Sequence, residues 1–291
     1  MWVNRILTAL ALCLGFSAAG DSARAATCGP DALGVSRTIA IGAPIHVGLK
    51  TYPQTLDLKD HEVVLTFDDG PAPTTRRVLD ALDAQCAKAT FFLIGRNAAA
   101  MPQIVRREIA DGDTVGSHSN SHPMLRSLPL AKAEADIDAG AAAVDKAAGG
   151  KESKFFRFPG FADSPALLSA LDARKMPVFG ADLWASDWNA MSAHEELDLL
   201  MGRLRRAKGG IILLHDTKKQ TADMLPALLA ALKAEGFHLV HLVPGDLAPV
   251  TRPAPSGWKS ETDATLRKMG VKGASDAMPV REQKEPAAQG M

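Results

Sequence analysis

The chain has no charge excess of either sign: 33 Lys and Arg balance 33 Asp and Glu over 291 residues. A nucleic-acid or anionic-membrane partner calls for a positive excess, so neither is expected. Cysteine is scarce, with three residues, which allows one disulfide at most. No internal repeat occurs, so a solenoid is not indicated. The apolar run at 6–16 falls short of the roughly 18 residues that span a bilayer.

What that run does fit is export. Arg5 precedes it and Ala23-Arg24-Ala25 is a small-x-small cleavage site, so residues 1–26 read as a signal peptide, with an uncleaved anchor as the alternative. The expected product is periplasmic or secreted, free of membrane insertion and monomeric. Removing Arg5, Arg24 and Asp21 changes the charge by −2 + 1, to −1. Cys13 leaves with the signal. In an oxidising compartment Cys28 and Cys86 are expected to pair, and two free thiols are the alternative.

Residues 27–60 have mixed character and are read as an N-terminal extension packed on the domain. From 61 to 248 apolar runs alternate with helical patterns. The runs lie at 63–67, 90–94, 114–117, 154–158, 177–181, 211–214 and 238–242, and the helical patterns at 74–85, 99–110, 130–148, 164–173, 193–207 and 224–235. Seven strands and six helices in alternation predict an α/β domain with a parallel sheet, closed or nearly closed as a barrel, with a flat doubly wound sheet as the alternative. The 46% hydrophobic share supplies a sizeable core. Residues 249–291 mix Pro with Gly, Ser, Lys and Glu and are read as a flexible tail.

The most informative segment is Val63-Val64-Leu65-Thr66-Phe67-Asp68-Asp69-Gly70-Pro71. Two carboxylates at a strand's end repel unless a cation or a shared proton intervenes. His118-Ser119-Asn120-Ser121-His122 offers the cation site, since imidazoles at i and i+4 of a helical turn share a face. A lone buried histidine reads as a core residue. Two at this spacing, with a strand-end Asp, read as metal ligands. Asp69, His118 and His122 are therefore the expected ligands of one divalent ion, zinc first, with cobalt or nickel able to substitute. Asp68 is left free as a general base. Arg157, in Phe156-Arg157-Phe158-Pro159, is the expected partner holding Asp68 by a two-pronged hydrogen bond. Asp68, Asp69, His118, Arg157, Asp182 to Asp187 and His215 all fall at C-terminal ends of predicted strands, where barrel enzymes build their sites.

Thr66-Phe67-Asp68-Asp69-Gly70 followed by His118-Ser-x-x-His122 resembles the first two motifs of the polysaccharide deacetylases, the NodB-homology enzymes of carbohydrate esterase family 4. The resemblance runs from about Val63 to about Val243 and implies a distorted (β/α) barrel of about seven strands. It implies that His215, in Leu213-Leu214-His215, is the general acid, with Leu213 lining the pocket for the acetyl methyl. Arg157-Phe158-Pro159-Gly160-Phe161 is similar to the family's Arg-x-Pro motif with its aromatic displaced by one residue, which puts Pro159 and the Gly160 N–H near the acyl oxygen. Asp187-Trp188 matches the end of Asp-x-x-Asp-Trp. Trp184 stands at that motif's first position, with Asp182 two residues earlier. Asp187 is expected to orient His215, with Asp182 as the alternative, and Trp188 to meet the sugar. Trp184 reads equally as a platform or as core. His46, His61, His194, His238 and His241 carry no motif and read as structural or exposed.

The implied function is removal of acetyl groups from an extracytoplasmic polysaccharide, foremost N-acetylglucosamine polymers such as peptidoglycan or chitin-like oligomers. The alternatives are O-deacetylation of acetylxylan-like glycans, or a carbohydrate-binding protein that kept the fold without the chemistry.

Overall fold

The computed structural model of the protein describes residue 29 and residues 31–271; the expected signal at 1–26, Cys28 and residues 272–291 lie outside them. Along the chain come β1 (Arg37–Ile41), β2 (His46–Val47), β3 (Gln54–Leu56), β4 (Glu62–Asp68), α1 (Thr75–Ala84), β5 (Thr90–Leu93), α2 (Gly95–Ala100) and α3 (Pro102–Asp111). Next are β6 (Thr114–Ser117), α4 (Leu130–Ala148), α5 (Pro165–Ala173), β7 (Val178–Phe179), β8 (Leu183–Trp184), α6 (Ala193–Ala207) and β9 (Gly209–His215). The last are α7 (Lys219–Ala234), β10 (His238–Pro244), β11 (Thr251–Pro253) and α8 (Glu261–Lys268).

β4 is buried along its whole length, as its unbroken apolar run requires of a parallel strand covered on both faces. Its odd residues Val63, Leu65 and Phe67 pack among the helices with Leu79, Leu82 and Leu228. Val64 faces the other way, into a second core with Phe92, Phe155, Phe179 and Ile211. Period-two alternation then puts Thr66 and Asp68 on that inner face, above Val64.

The neighbours of β4 are parallel. β9 runs alongside it from Glu62↔Gly209 to Asp68↔His215, and β5 pairs on the other side from Thr66↔Thr90 to Asp68↔Phe92. β5 continues to β6. Single parallel bridges link Ser117 to Phe156 and Phe156 to Val178 of β7, and β8 adds to β9. This curved parallel sheet wrapped by helices is the distorted (β/α) architecture, not a flat doubly wound sheet. Its register sets Asp68 level with His215 at the C-terminal rim.

Several elements depart from expectation. The strand expected at 154–158 contracts to the bridge residue Phe156, because the Ser153 hydroxyl donates to Val115 O and accepts the Phe155 N–H, turning the chain off the ladder. The helix expected at 99–110 is two, broken at Met101 by Pro102, whose missing N–H suits a first turn and not an interior. The extension contributes sheet as well as cover: β1 pairs with β10 and β2 with β7.

The segment read as a flexible tail is structured as far as residue 271. β11 pairs antiparallel with β3. α8 starts at Ser260, whose side chain accepts the Asp263 N–H, and buries Leu266. Trp258 Nε1 donates to Leu49 O at 2.7 Å, and Lys50 meets Glu261 at 2.5 Å. Cys86, just past α1, is disulfide-bonded, and Cys28 lies outside the described residues. Among the described residues no helix is long and apolar enough to cross a membrane.

Candidate active site

Alternation along β4 would send Asp69 outward, among the helices. It escapes because its φ is 73°, a left-handed conformation that Asp tolerates better than most residues. Asn97 fixes the turn by donating to Asp69 O at 2.9 Å. The two adjacent carboxylates thereby end on the same rim.

His118 follows β6 and is buried. Its Nδ1 lies 2.7 Å from Arg157 O. A carbonyl only accepts, so Nδ1 carries the proton and Nε2 presents its lone pair. That Nε2 lies 3.6 Å from Asp69 Oδ1 and 3.7 Å from Asp68 Oδ2. His122 Nε2 lies 3.2 Å from the same Asp69 oxygen.

The two imidazoles meet, with ring centroids 5.0 Å apart, but not through the expected helical turn. Ser119 and His122 both have positive φ, so 118–122 is a loop. Asp136 of α4 holds it by accepting the Asn120 and Ser121 N–H groups at 2.9 and 3.2 Å and the Ser121 hydroxyl at 2.7 Å. Gly140 of the same helix lets the backbones touch: a Cβ there would stand 2.4 Å from the Ser119 carbonyl carbon. Gly140→Ala is therefore expected to cost about 1–3 kcal/mol of stability and to weaken zinc affinity by displacing the loop. Thermal melting and a competition titration with a chromophoric chelator check both effects.

The donor set fits a divalent metal. One atom each from Asp69, His118 and His122 lies within 4.8 Å of the others. Asp69 Oδ1 is buried without a hydrogen-bond partner, an orphan that a cation would satisfy. Two imidazole nitrogens with one carboxylate oxygen suit zinc and its neighbours.

Arg157 is fully buried. Its Nη1 donates to Asp68 Oδ1 at 2.7 Å and to Thr66 Oγ1 at 2.8 Å; Nη2 donates to Gly180 O at 2.7 Å and Nε to Phe179 O at 3.3 Å. The expected two-pronged grip is thus a single prong, because the rest of the guanidinium is spent on Thr66 and on the Phe179 and Gly180 carbonyls. Phe92 supplies a ring face 4.3 Å below. Asp68 keeps Oδ2 free toward His118.

His215 ends β9. Its Nδ1 lies 2.7 Å from Asp187 Oδ1, and its backbone N–H donates to Asp187 Oδ2 at 2.7 Å. Burial pulls the imidazole down, but the Asp187 hydrogen bond and charge outweigh it and push His215 up to about 9. Asp182, the alternative partner, is committed elsewhere: it accepts from Leu49 N, Thr55 Oγ1 and Ile211 N. Two residues that sequence reasoning missed extend the line. Thr221 Oγ1 donates to Asp187 Oδ2 at 2.9 Å and stands 3.0 Å from Glu196 Oε1. Burial first, and then Asp187, push Glu196 up to about 7. Glu196 hid in sequence because an acid in the first turn of a helix needs no other reason.

An aromatic row borders the site. Pro159 is buried and Gly160 exposed in the short turn Pro159–Phe161. Phe161 stacks on Trp184 at 6.3 Å, Trp184 meets Trp188 at 5.8 Å, and Trp188 stands edge-on to the His215 ring at 6.1 Å. Trp188 is 46% exposed, as a sugar platform would be. Leu213 lies buried on the inward face of β9, two residues before His215.

A family model described as polysaccharide deacetylase matches residues 55–178, which hold Asp68, Asp69, His118, His122 and Arg157. The chain is 32% identical over 206 residues to a bifunctional xylanase/deacetylase of Pseudobutyrivibrio xylanivorans, covering 69% of this chain and 33% of that protein, so it spans about a third of that relative's length. It is 31% identical over 201 residues to a peptidoglycan-N-acetylglucosamine deacetylase of Bacillus cereus, covering 65% of this chain and 72% of that one. Among solved structures, a peptidoglycan deacetylase of Bdellovibrio bacteriovorus superposes with a TM-score of 0.62 at 30% identity, over 71% of this chain and 60% of that one. A match over nearly three quarters of the Bacillus cereus protein goes beyond shared motifs, and the chain belongs to the polysaccharide deacetylase family.

Proposed function

We propose that the protein is a metal-dependent hydrolase that removes N-acetyl groups from N-acetylglucosamine units of an extracytoplasmic glycan. The observation that carries this reading is the meeting, on one strand-end rim, of a three-donor metal set, a buried Asp–Arg pair and a His215 backed by the buried Asp187. A divalent ion held by Asp69, His118 and His122 would polarise the acyl oxygen and lower the pKa of water. Asp68, positioned by Arg157, takes the proton from the attacking water. His215, oriented and kept protonated by Asp187, gives a proton to the departing amine. Leu213 offers the methyl group an apolar wall, and the Gly160 N–H faces the developing oxyanion. Trp188 supports the sugar.

The same machinery cleaves an acetyl ester, and the xylanase/deacetylase relative makes O-deacetylation the second reading. A purely binding protein is disfavoured, since such a protein has no use for Asp68 and His215 with their buried partners. The signal at 1–26 supports an extracytoplasmic location. The test is acetate release by the purified protein from peptidoglycan strands, chito-oligomers and acetylxylan, with zinc and with chelator. Zinc-restored release from an N-acetylated polymer is expected; release from acetylxylan alone would move the assignment to the ester.

A further inference from the structure

Beside the aromatic row lies a cleft of about 630 Å³ that the chemistry above does not use. It is lined by Trp184 and Trp188, by Arg203 and Arg206 of α6, and by Lys50 and Glu261 of α8. Trp188 belongs to both places, since its ring also stands 6.1 Å from His215. The cleft is therefore within reach of the sugar next to one that reacts at His215.

The charges of the cleft do not cancel. Asp182 also lines it, but its oxygens already accept three hydrogen bonds from Leu49, Thr55 and Ile211. Glu261 is matched by Lys50, whose Nζ lies 5.1 Å above the Trp184 ring. Against these two carboxylates stand Lys50, Arg203 and Arg206, a net charge of +1, and the two guanidiniums are three residues apart and hence on one face of α6. Arg203 is pinned at the Trp184 carbonyl and at Ser186 Oγ, the latter at 2.7 Å. Arg206 is folded back along the helix: its Nη1 lies 3.7 Å from where a Gly202 Cβ would be. Among the described residues no carboxylate pairs with it. Burial, and then Arg206, lower the Arg203 pKa, with Glu261 acting the other way.

We infer that this cleft is a subsite for a carboxylate borne by the sugar next to the one being deacetylated, making an acidic glycan the preferred substrate. The position of the reacting sugar rests on the deacetylase reading. Planar guanidiniums bind carboxylates through paired, charge-assisted hydrogen bonds, and the indole faces suit the sugar ring that carries the acid. Chito-oligomers and acetylxylan carry no such group, whereas peptidoglycan glycan strands freed of their stem peptides bear a lactyl carboxylate on alternate sugars.

The test compares these peptide-free glycan strands with the same strands after chemical reduction of their carboxyls, measuring equilibrium binding and acetate release for the wild type and for Arg206→Glu. The wild type is expected to bind native strands about tenfold more tightly than reduced ones, the worth of one charged hydrogen bond. In Arg206→Glu, an exposed change that the fold tolerates, that ratio is expected to fall to one or below. Equal binding of the two polymers by the wild type overturns the subsite, and so does an unchanged ratio in the variant. Preferential binding of native strands without acetate release upholds the subsite and removes peptidoglycan strands from the substrates of the deacetylase reading. Acetate release without preference does the reverse.

Discussion

Asp68→Asn is expected to lower the rate of acetate release by about a thousandfold, within the range that a general base contributes, while leaving bound zinc unchanged. The amide matches the carboxylate in shape and keeps an oxygen to accept from Arg157 Nη1, so the local fold survives. What it lacks is basicity. His118→Ala is expected to lose both zinc and turnover, because it removes an imidazole whose Nε2 faces Asp69 with the tautomer fixed by Arg157 O. Metal content by mass spectrometry and acetate release on the same preparations separate the two outcomes. A near-normal rate in Asp68→Asn would remove Asp68 from the chemistry. Loss of zinc in that variant would make it a fourth ligand in place of a base.

The rim was legible because buried parallel strands advertise themselves. β4, β5 and β9 are buried and carry mostly apolar cores, so their ends, and the polar residues crowded there, can be read directly. The edges were not. β1 is half-exposed and pairs with a strand two hundred residues away, Arg37 with Val240, and no local pattern encodes a partner that distant. β11 and α8 dock through a few contacts from Trp258, Glu261 and Leu266, set among prolines that suggest a loose chain. The choice between Asp182 and Asp187 was likewise undecidable from sequence. It turns on which backbone N–H groups the Asp182 oxygens satisfy, and those come from Leu49 and from Ile211 of β9. The 118–122 spacing pointed to the right pair by a wrong route: the loop has positive φ at both ends, and Asp136, fourteen residues beyond His122, holds it.

Arg157 carries the largest expected stability effect. Its side chain is wholly buried and makes four hydrogen bonds, to Asp68, Thr66, Phe179 O and Gly180 O. Arg157→Leu keeps apolar bulk over Phe92 but leaves a buried carboxylate and two carbonyls without their donor. Breaking a buried ion pair from one side costs about 3–5 kcal/mol, or roughly 10 °C in Tm for a domain of this size. Activity should fall as well, because Asp68 loses the contact that positions it. Stability and catalysis are separable through the partner: in an Asp68→Asn background no uncompensated charge remains, so Arg157→Leu should cost markedly less there. The coupling, read from chemical denaturation of the two single variants and the double variant, is expected to be about 2 kcal/mol or more. Additive losses would mean that Arg157 serves the Phe179 and Gly180 carbonyls alone, and that Asp68 is held by something other than its charge.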